Sequence, residues 1–289
     1  MYNRKGMTLF ELIVVIVVIV FIALLGILLN MPVHNGGLRL GCGTNLKGMA
    51  NALNVYAFDY RDEYPVAGGG GVNSWAVTTD QWDNPDHEWD GDDKVTVAAS
   101  LFMLVRQADV GVKSFVCPNS DQQPFVNDRD CDVVELWDFG PNPTEHQSYS
   151  YHFPYGKFPP DGTANPENAI MADRSPWFDE KLTKSSIKKE TAETFIDKVS
   201  LIDILTGTDK WKYQIGNSEP HDREGQNVLF NDGHVEFVKR PDVGIEGDNI
   251  YTIGGVTKEE KRRGIAPTSD VIDAVDDYDS LLVNDRSRQ

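Results

Sequence analysis

The chain has 289 residues, of which 40% are hydrophobic and 25% charged, a composition typical of folded proteins and not of disordered or collagen-like ones. Its formal net charge of −18 argues against nucleic acid as a partner, because phosphate binding needs a cationic surface. Anionic membrane surfaces are disfavoured for the same reason. The mean hydropathy of −0.38 conceals one very apolar stretch near the start.

The first predicted element is a membrane-spanning and assembly helix over residues 7–31. Leu12–Leu29 is a run of 18 residues without an ionisable group, and a helix of that length covers about 27 Å, close to a hydrocarbon core. Arg4 and Lys5 precede it, which favours a cytoplasmic N-terminus and an exported remainder. The run is longer than the core of a secretory signal peptide, and no small-residue cleavage site follows it. Glu11 stands at its entrance, where a carboxylate is costly without a partner.

The residues around this glutamate resemble a known processing signal. Lys5-Gly6-Met7-Thr8-Leu9-Phe10-Glu11, followed by the apolar run, is similar to the class III signal of type IV pilins and type II secretion pseudopilins. The resemblance implies that residues 1–6 are a cytoplasmic leader, that a prepilin peptidase cuts after Gly6, and that Met7 is then N-methylated. It also implies a structural, non-enzymatic subunit that starts in the inner membrane and joins itself or other pilin-like subunits in a periplasmic or cell-surface filament.

A physical argument supports an assembly role for Glu11. The new amine of Met7 carries a positive charge, and pairing with Glu11 of a neighbouring subunit removes much of the cost of placing either charge in a low dielectric. Packing of this head-to-tail kind does not close on itself and yields open helical polymers. The alternative is a plain single-pass anchor that is neither cleaved nor polymerised.

An exported α+β domain is predicted over residues 32–240. Pro32 and the Gly36-Gly37 pair favour a helix break, after which an amphipathic helix runs over about 42–60. The segment from Cys42 to Tyr60 resembles the helix of a large pseudopilin-like family. The resemblance implies a pilin-like fold, in which a long N-terminal helix packs on a small antiparallel sheet, here with long loop insertions at about 66–147. Residues 241–289 form a C-terminal extension whose acidic tail hints at one short helix.

A second match to that family lies near the end of the exported domain. His221, Asp232, Gly233 and His234 resemble its His-x9-Asp-Gly signature, with one extra residue between the histidine and the aspartate. Asn231-Asp232-Gly233 separates two β-rich runs, a pattern typical of a hairpin turn. The favoured interpretation is a structural hairpin. A metal or catalytic site built from His221, Asp232 and His234 is the alternative.

An acidic loop offers a candidate calcium site. Residues 83–93 hold six carboxylates, and oxygen-rich loops suit the flexible coordination of Ca²⁺. The candidate ligands are Asp86, Asp90, Asp92 and Asp93. The spacing does not match an EF-hand, so a solvated loop without an ion is the competing interpretation.

Three cysteines leave the disulfide pairing open. Export permits a disulfide, and the odd number of cysteines leaves one thiol over. Cys117 and Cys131 are near enough in sequence to close a small loop. Cys42 with Cys117 would instead attach the helix to the sheet.

No motif of a known enzyme class occurs in the chain. We therefore expect no catalytic residues and no cofactor other than Ca²⁺. The alternative to a filament subunit is a membrane-anchored surface protein that binds Ca²⁺ or glycan through its aspartate-rich and tryptophan-rich loops. The simpler interpretation of the tryptophan-rich loops is that their tryptophan side chains pack them onto a thin hydrophobic core.

Overall fold

The computed structural model describes residues 8–29, 35–68, 75–90, 92–178, 216–267 and 273–285. The chain divides into two compact units, residues 1–37 and residues 38–289. The described residues form four α-helices, the last of which is the short helix Lys258–Arg263, and one five-stranded antiparallel sheet, which confirms the α+β class.

Helix α1 spans Leu9–Leu29 and helix α2 spans Asn35–Asp59. The predicted helix at about 42–60 is therefore confirmed, but it begins seven residues earlier than expected. Within the described stretches, no helix is both long enough and apolar enough to cross a membrane.

The sheet consists of β1 (Tyr149–His152), β2 (Ala169–Asp173), β3 (Gln226–Phe230), β4 (Val235–Val238) and β5 (Leu282–Val283). Their order across the sheet is β4-β3-β2-β1-β5, and every neighbouring pair is antiparallel. The predicted C-terminal extension thus contributes the edge strand beside β1. The described part of its acidic tail, residues 273–285, holds this strand and no helix.

The predicted hairpin is confirmed between β3 and β4. Gly233 has a φ of +81°, a conformation that glycine adopts without steric cost, and its main-chain N donates to the Phe230 carbonyl at 2.9 Å. The turn also contacts α2, because Lys47 Nζ donates to the Gly233 carbonyl at 2.7 Å.

Helix α2 packs its apolar face on this sheet. Leu46, Met49 and Leu53 are buried in one cluster with Tyr149 of β1 and Leu229 of β3. These helix residues recur every three or four positions, as the amphipathic pattern predicts. The core of the larger unit therefore lies between α2 and the sheet.

A third helix, α3 (Val97–Gln107), lies inside the predicted loop insertion. The Thr96 side chain caps it by accepting from the main-chain N of Ala99 at 2.9 Å. Asp285 accepts hydrogen bonds from two more amides at the same end. Its Oδ1 accepts from the main-chain N of Val97 and its Oδ2 from the main-chain N of Ala98, both at 2.8 Å. The end of the C-terminal segment thus completes a helix that begins 188 residues earlier.

A second buried carboxylate supports this helix end. Asp138 Oδ2 accepts from the hydroxyls of Thr79 and Thr96, both at 2.6 Å. Burial raises the pKa of Asp138 to about 6 and the pKa of Asp285 to about 7. Both carboxyl groups are therefore held in an environment that favours their protonated forms.

We expect the free energy of unfolding to fall as the pH rises from about 4 to about 7. The folded state keeps protons on Asp138 and Asp285 at pH values where the unfolded carboxyls, with pKa values near 4, have lost them. For Asp285 the fall is about 1.4 kcal/mol per pH unit, or about 2 kcal/mol between pH 5 and 6.5. Urea unfolding across this range measures it, and Asp285→Asn should make the slope shallower by that amount. An unchanged slope in the variant would show that Asp285 ionises normally in the fold.

Candidate functional site

The start of α1 is fixed by a local network between Thr8 and Glu11. The main-chain N of Thr8 donates to Glu11 Oε2 at 2.7 Å, and the Thr8 hydroxyl donates to the same oxygen at 2.9 Å. In return, the main-chain N of Glu11 donates to Thr8 Oγ1 at 3.3 Å. This reciprocal arrangement is a capping box, and the Thr-x-x-Glu spacing alone could have predicted it. Glu11 therefore has a structural partner within its own chain, Thr8, which was not predicted.

Over Leu9–Ile22, the large apolar side chains of α1 are exposed on every side of the helix. Thirteen large hydrophobic side chains between Leu9 and Ile22 have exposed fractions of 43 to 76%. They are Leu9, Phe10, Leu12, Ile13, Val14, Val15, Ile16, Val17, Val18, Ile19, Val20, Phe21 and Ile22. A helix that is apolar all round is normally covered by protein or lipid, so α1 presents a surface that needs a partner.

The two residues of the predicted cleavage site, Gly6 and Met7, lie outside the described residues, as does the rest of the predicted leader. Cleavage and methylation therefore stay predictions. Glu11, four positions after Met7, lies in the first turn of α1.

The signature histidine lies in a fully buried polar centre. His221, in a short 3₁₀ turn before β3, places its Nε2 3.0 Å from Oδ2 of Asp173 at the end of β2. Asn227 of β3 donates to the same oxygen twice, from its main-chain N at 2.6 Å and from its side-chain Nδ2 at 2.9 Å. The side chains of His221 and Asp173 have no exposed area. This centre joins β2, β3 and the turn that precedes β3.

Asp173 was not predicted as a partner of His221. The two residues are 48 positions apart in sequence, and no local spacing links them. Because their side chains meet only when β2 and β3 pair, the contact depends on the sheet register.

The centre lies beside the disulfide of the chain. Cys42 of α2 is bonded to Cys117, with their Cα atoms 5.1 Å apart. The pairing of Cys117 with Cys131 is therefore wrong, and Cys131 is a partly buried free thiol. The physical reason is that α2 presents Cys42 to the core, where Cys117 is also buried, so proximity in the fold outweighs proximity in sequence. The bond attaches α2 to the chain segment before β1.

The other signature residues lie at the far end of β3. Asp232 accepts at 2.9 Å from the main-chain N of His234, and its Oδ1 is 2.5 Å from His234 Nδ1. The five residues of β3 separate this turn from His221 by about 13 Å. His221, Asp232 and His234 therefore do not form one metal or catalytic site, and the hairpin interpretation is confirmed.

The acidic loop uses its carboxylates to hold its own backbone. Asp93 Oδ2 accepts from the main-chain N of Asp90 at 2.7 Å and lies 3.1 Å from His87 Nε2. Asp90 in turn accepts from the main-chain N of Asp92 at 2.9 Å. Within the described parts of the loop, the carboxylates of Asp86, Asp90, Asp92 and Asp93 do not gather into a group close enough to share an ion. Calcium binding stays a prediction.

The tryptophan side chains of the insertion pack against the domain. Trp82 is buried, and the rings of Trp89 and Trp137 are 5.2 Å apart in an edge-to-face arrangement. The Arg106 guanidinium lies 3.6 Å from the centre of the Trp137 ring. These contacts attach the loops to α3 and the core.

Comparison of the chain with protein-family models, curated proteins and solved structures finds no match in any of the three.

Proposed function

We propose that the chain is a structural subunit of a type IV pilus-like filament or of a type II secretion pseudopilus. In this proposal a prepilin peptidase cleaves after Gly6 and methylates Met7. The inner membrane holds the chain before assembly, and the 18-residue apolar run supports that location. The domain after α1 then forms the outer, water-facing part of the filament.

The observation that carries the proposal is the all-round exposure of apolar side chains on α1. Each of the thirteen side chains is about half exposed, so burying the rest of its apolar surface contributes about 1 kcal/mol of favourable free energy. The total is on the order of 10 kcal/mol, which strongly favours association of α1 with lipid or with other copies of itself. A filament core made of such helices provides that cover after the subunit leaves the membrane.

Substitution of Glu11 tests the proposal, because one variant can keep its capping role and remove its charge. Glutamine also completes a capping box but carries no charge. If Glu11 pairs with the Met7 amine of a neighbouring subunit, Glu11→Gln should reduce filament recovery more than tenfold. Electron microscopy and quantification of filaments sheared from the producing cells measure the effect.

Thr8→Ala is the matched control. It removes the Thr8 hydroxyl from the cap, at a cost of about 1 kcal/mol to the helix start, and leaves the Glu11 charge in place. We expect filament recovery close to that of the unmodified chain. Normal assembly of Glu11→Gln, together with impaired assembly of Thr8→Ala, would mean that Glu11 acts only as a cap.

A further inference from the structure

Four buried side chains with metal-binding atoms converge at the disulfide. One ligand atom from each of Cys42, Cys117, Asp173 and His221 lies within 4.8 Å of the others, and among the described residues they are the one such group of three or more. All four residues are buried. Two sulfurs, an imidazole nitrogen and a carboxylate oxygen are a donor set that suits Zn²⁺.

Two polar atoms of this group lack a hydrogen-bond partner. Asp173 Oδ1 and His221 Nδ1 are buried and unpaired, although Asn227 holds the other carboxylate oxygen of Asp173 with two bonds. A buried oxygen without a donor is costly, so this oxygen has unused capacity to bind a cation. The free lone pairs of Oδ1 are available to a cation, while Asn227 fixes the orientation of the carboxylate, as groups behind a metal ligand do.

We propose that reduction of the Cys42–Cys117 disulfide turns this group into a Zn²⁺ site with Cys42, Cys117, Asp173 and His221 as its four ligands. A dithiol reductant supplies two electrons and two protons: the Cys42–Cys117 bond breaks, both sulfurs become thiols, and the dithiol becomes a disulfide. Binding of Zn²⁺ then releases both thiol protons to solvent, because thiolates are the ligands.

The geometry requires only local movement. With Zn–S bonds of about 2.3 Å, two sulfurs at a tetrahedral ion are about 3.8 Å apart, so each sulfur moves by about 1 Å from its position in the disulfide. Cys42 lies on α2 and Cys117 lies in a loop, and small rotations of both side chains can provide this movement. The ion would connect the same two segments that the disulfide connects under oxidising conditions. This inference does not depend on the proposed filament function.

The test uses the full chain carrying Cys131→Ser, which removes the third thiol. After anaerobic reduction with dithiothreitol and its removal, titration with Co²⁺ should show one ion per chain. The spectrum should contain the intense visible bands of tetrahedral Co²⁺ and thiolate charge transfer, and Zn²⁺ should abolish both. The oxidised chain should show neither. Weak octahedral bands in the reduced chain, or equal binding by the oxidised chain, would overturn the proposal.

Two further measurements test the proposal. The first identifies the ligands by substitution, and the second needs no ligand variant, so it still tests the site if those variants do not fold. His221→Ala and Asp173→Asn should each weaken Co²⁺ binding at least tenfold, whereas His234→Ala, at the other end of β3, should leave it unchanged. Unchanged affinity in the first two variants would contradict the assignment. Zn²⁺ should also raise the thermal unfolding midpoint of the reduced Cys131→Ser chain and leave the midpoint of its oxidised form unchanged. If the midpoint of the reduced chain does not rise, the proposed site is contradicted, and no ligand variant is needed for that conclusion.

Discussion

Replacing Cys117 with serine is expected to lower the free energy of unfolding by about 4 kcal/mol. The Cys42–Cys117 bond joins residues 75 positions apart, and in the chain-entropy account a loop of that length restricts the unfolded state by about 4 kcal/mol. Urea unfolding of the purified chain in detergent, without reductant, measures the change. Cys42→Ser and the double variant should show the same loss, because each removes the same cross-link.

Cys131→Ser is the matched control for this prediction. Cys131 is a partly buried free thiol, so its replacement should cost less than about 1 kcal/mol. The opposite pattern, a large loss for Cys131→Ser and a small loss for Cys42→Ser, would restore the pairing of Cys117 with Cys131.

His221→Ala is expected to destabilise the fold by about 3 kcal/mol. The change leaves the buried carboxylate of Asp173 without its imidazole partner, and removing one member of a buried pair is costly because the other stays desolvated. Equilibrium unfolding compares this variant with His234→Ala, whose side chain is half exposed and should cost less than about 1 kcal/mol.

A double-mutant cycle separates the pair from simple loss of packing. Asp173→Asn in the His221→Ala background removes the unpaired charge, so the double variant should lose less stability than the two single variants combined. Additive losses, or equal losses for His221→Ala and His234→Ala, would show that the contact between Asp173 and His221 contributes little.

Local sequence patterns predict those elements whose structure depends mainly on residues that are close together in sequence. The Asn231-Asp232-Gly233 turn is correctly predicted because positive φ at a glycine and short β-rich runs are properties of the segment itself. Helix α2 is found for a similar reason, since its apolar positions repeat with helical spacing. The capping box of Thr8 and Glu11 is equally local, because the Thr-x-x-Glu spacing alone specifies it.

Contacts between distant residues are the part that the sequence could not predict. The disulfide partner of Cys117, the pairing of Asp173 with His221 and the capping of α3 by Asp285 each depend on segments brought together only by the completed sheet. The acidic tail shows why such contacts are difficult to predict from sequence. Aspartate is normally exposed, yet Asp279 and Asp285 are buried because backbone amides of other segments donate to them.

We propose that the chain is matured and assembled as a pilin-like subunit through α1. Intact-mass measurement of the native protein, followed by fragmentation of its N-terminal peptide, tests this most directly. We expect a chain that starts at Met7, carries one added methyl group on its amine and retains the whole apolar segment. An intact chain starting at Met1, or a chain from which the apolar segment has been removed, would contradict it.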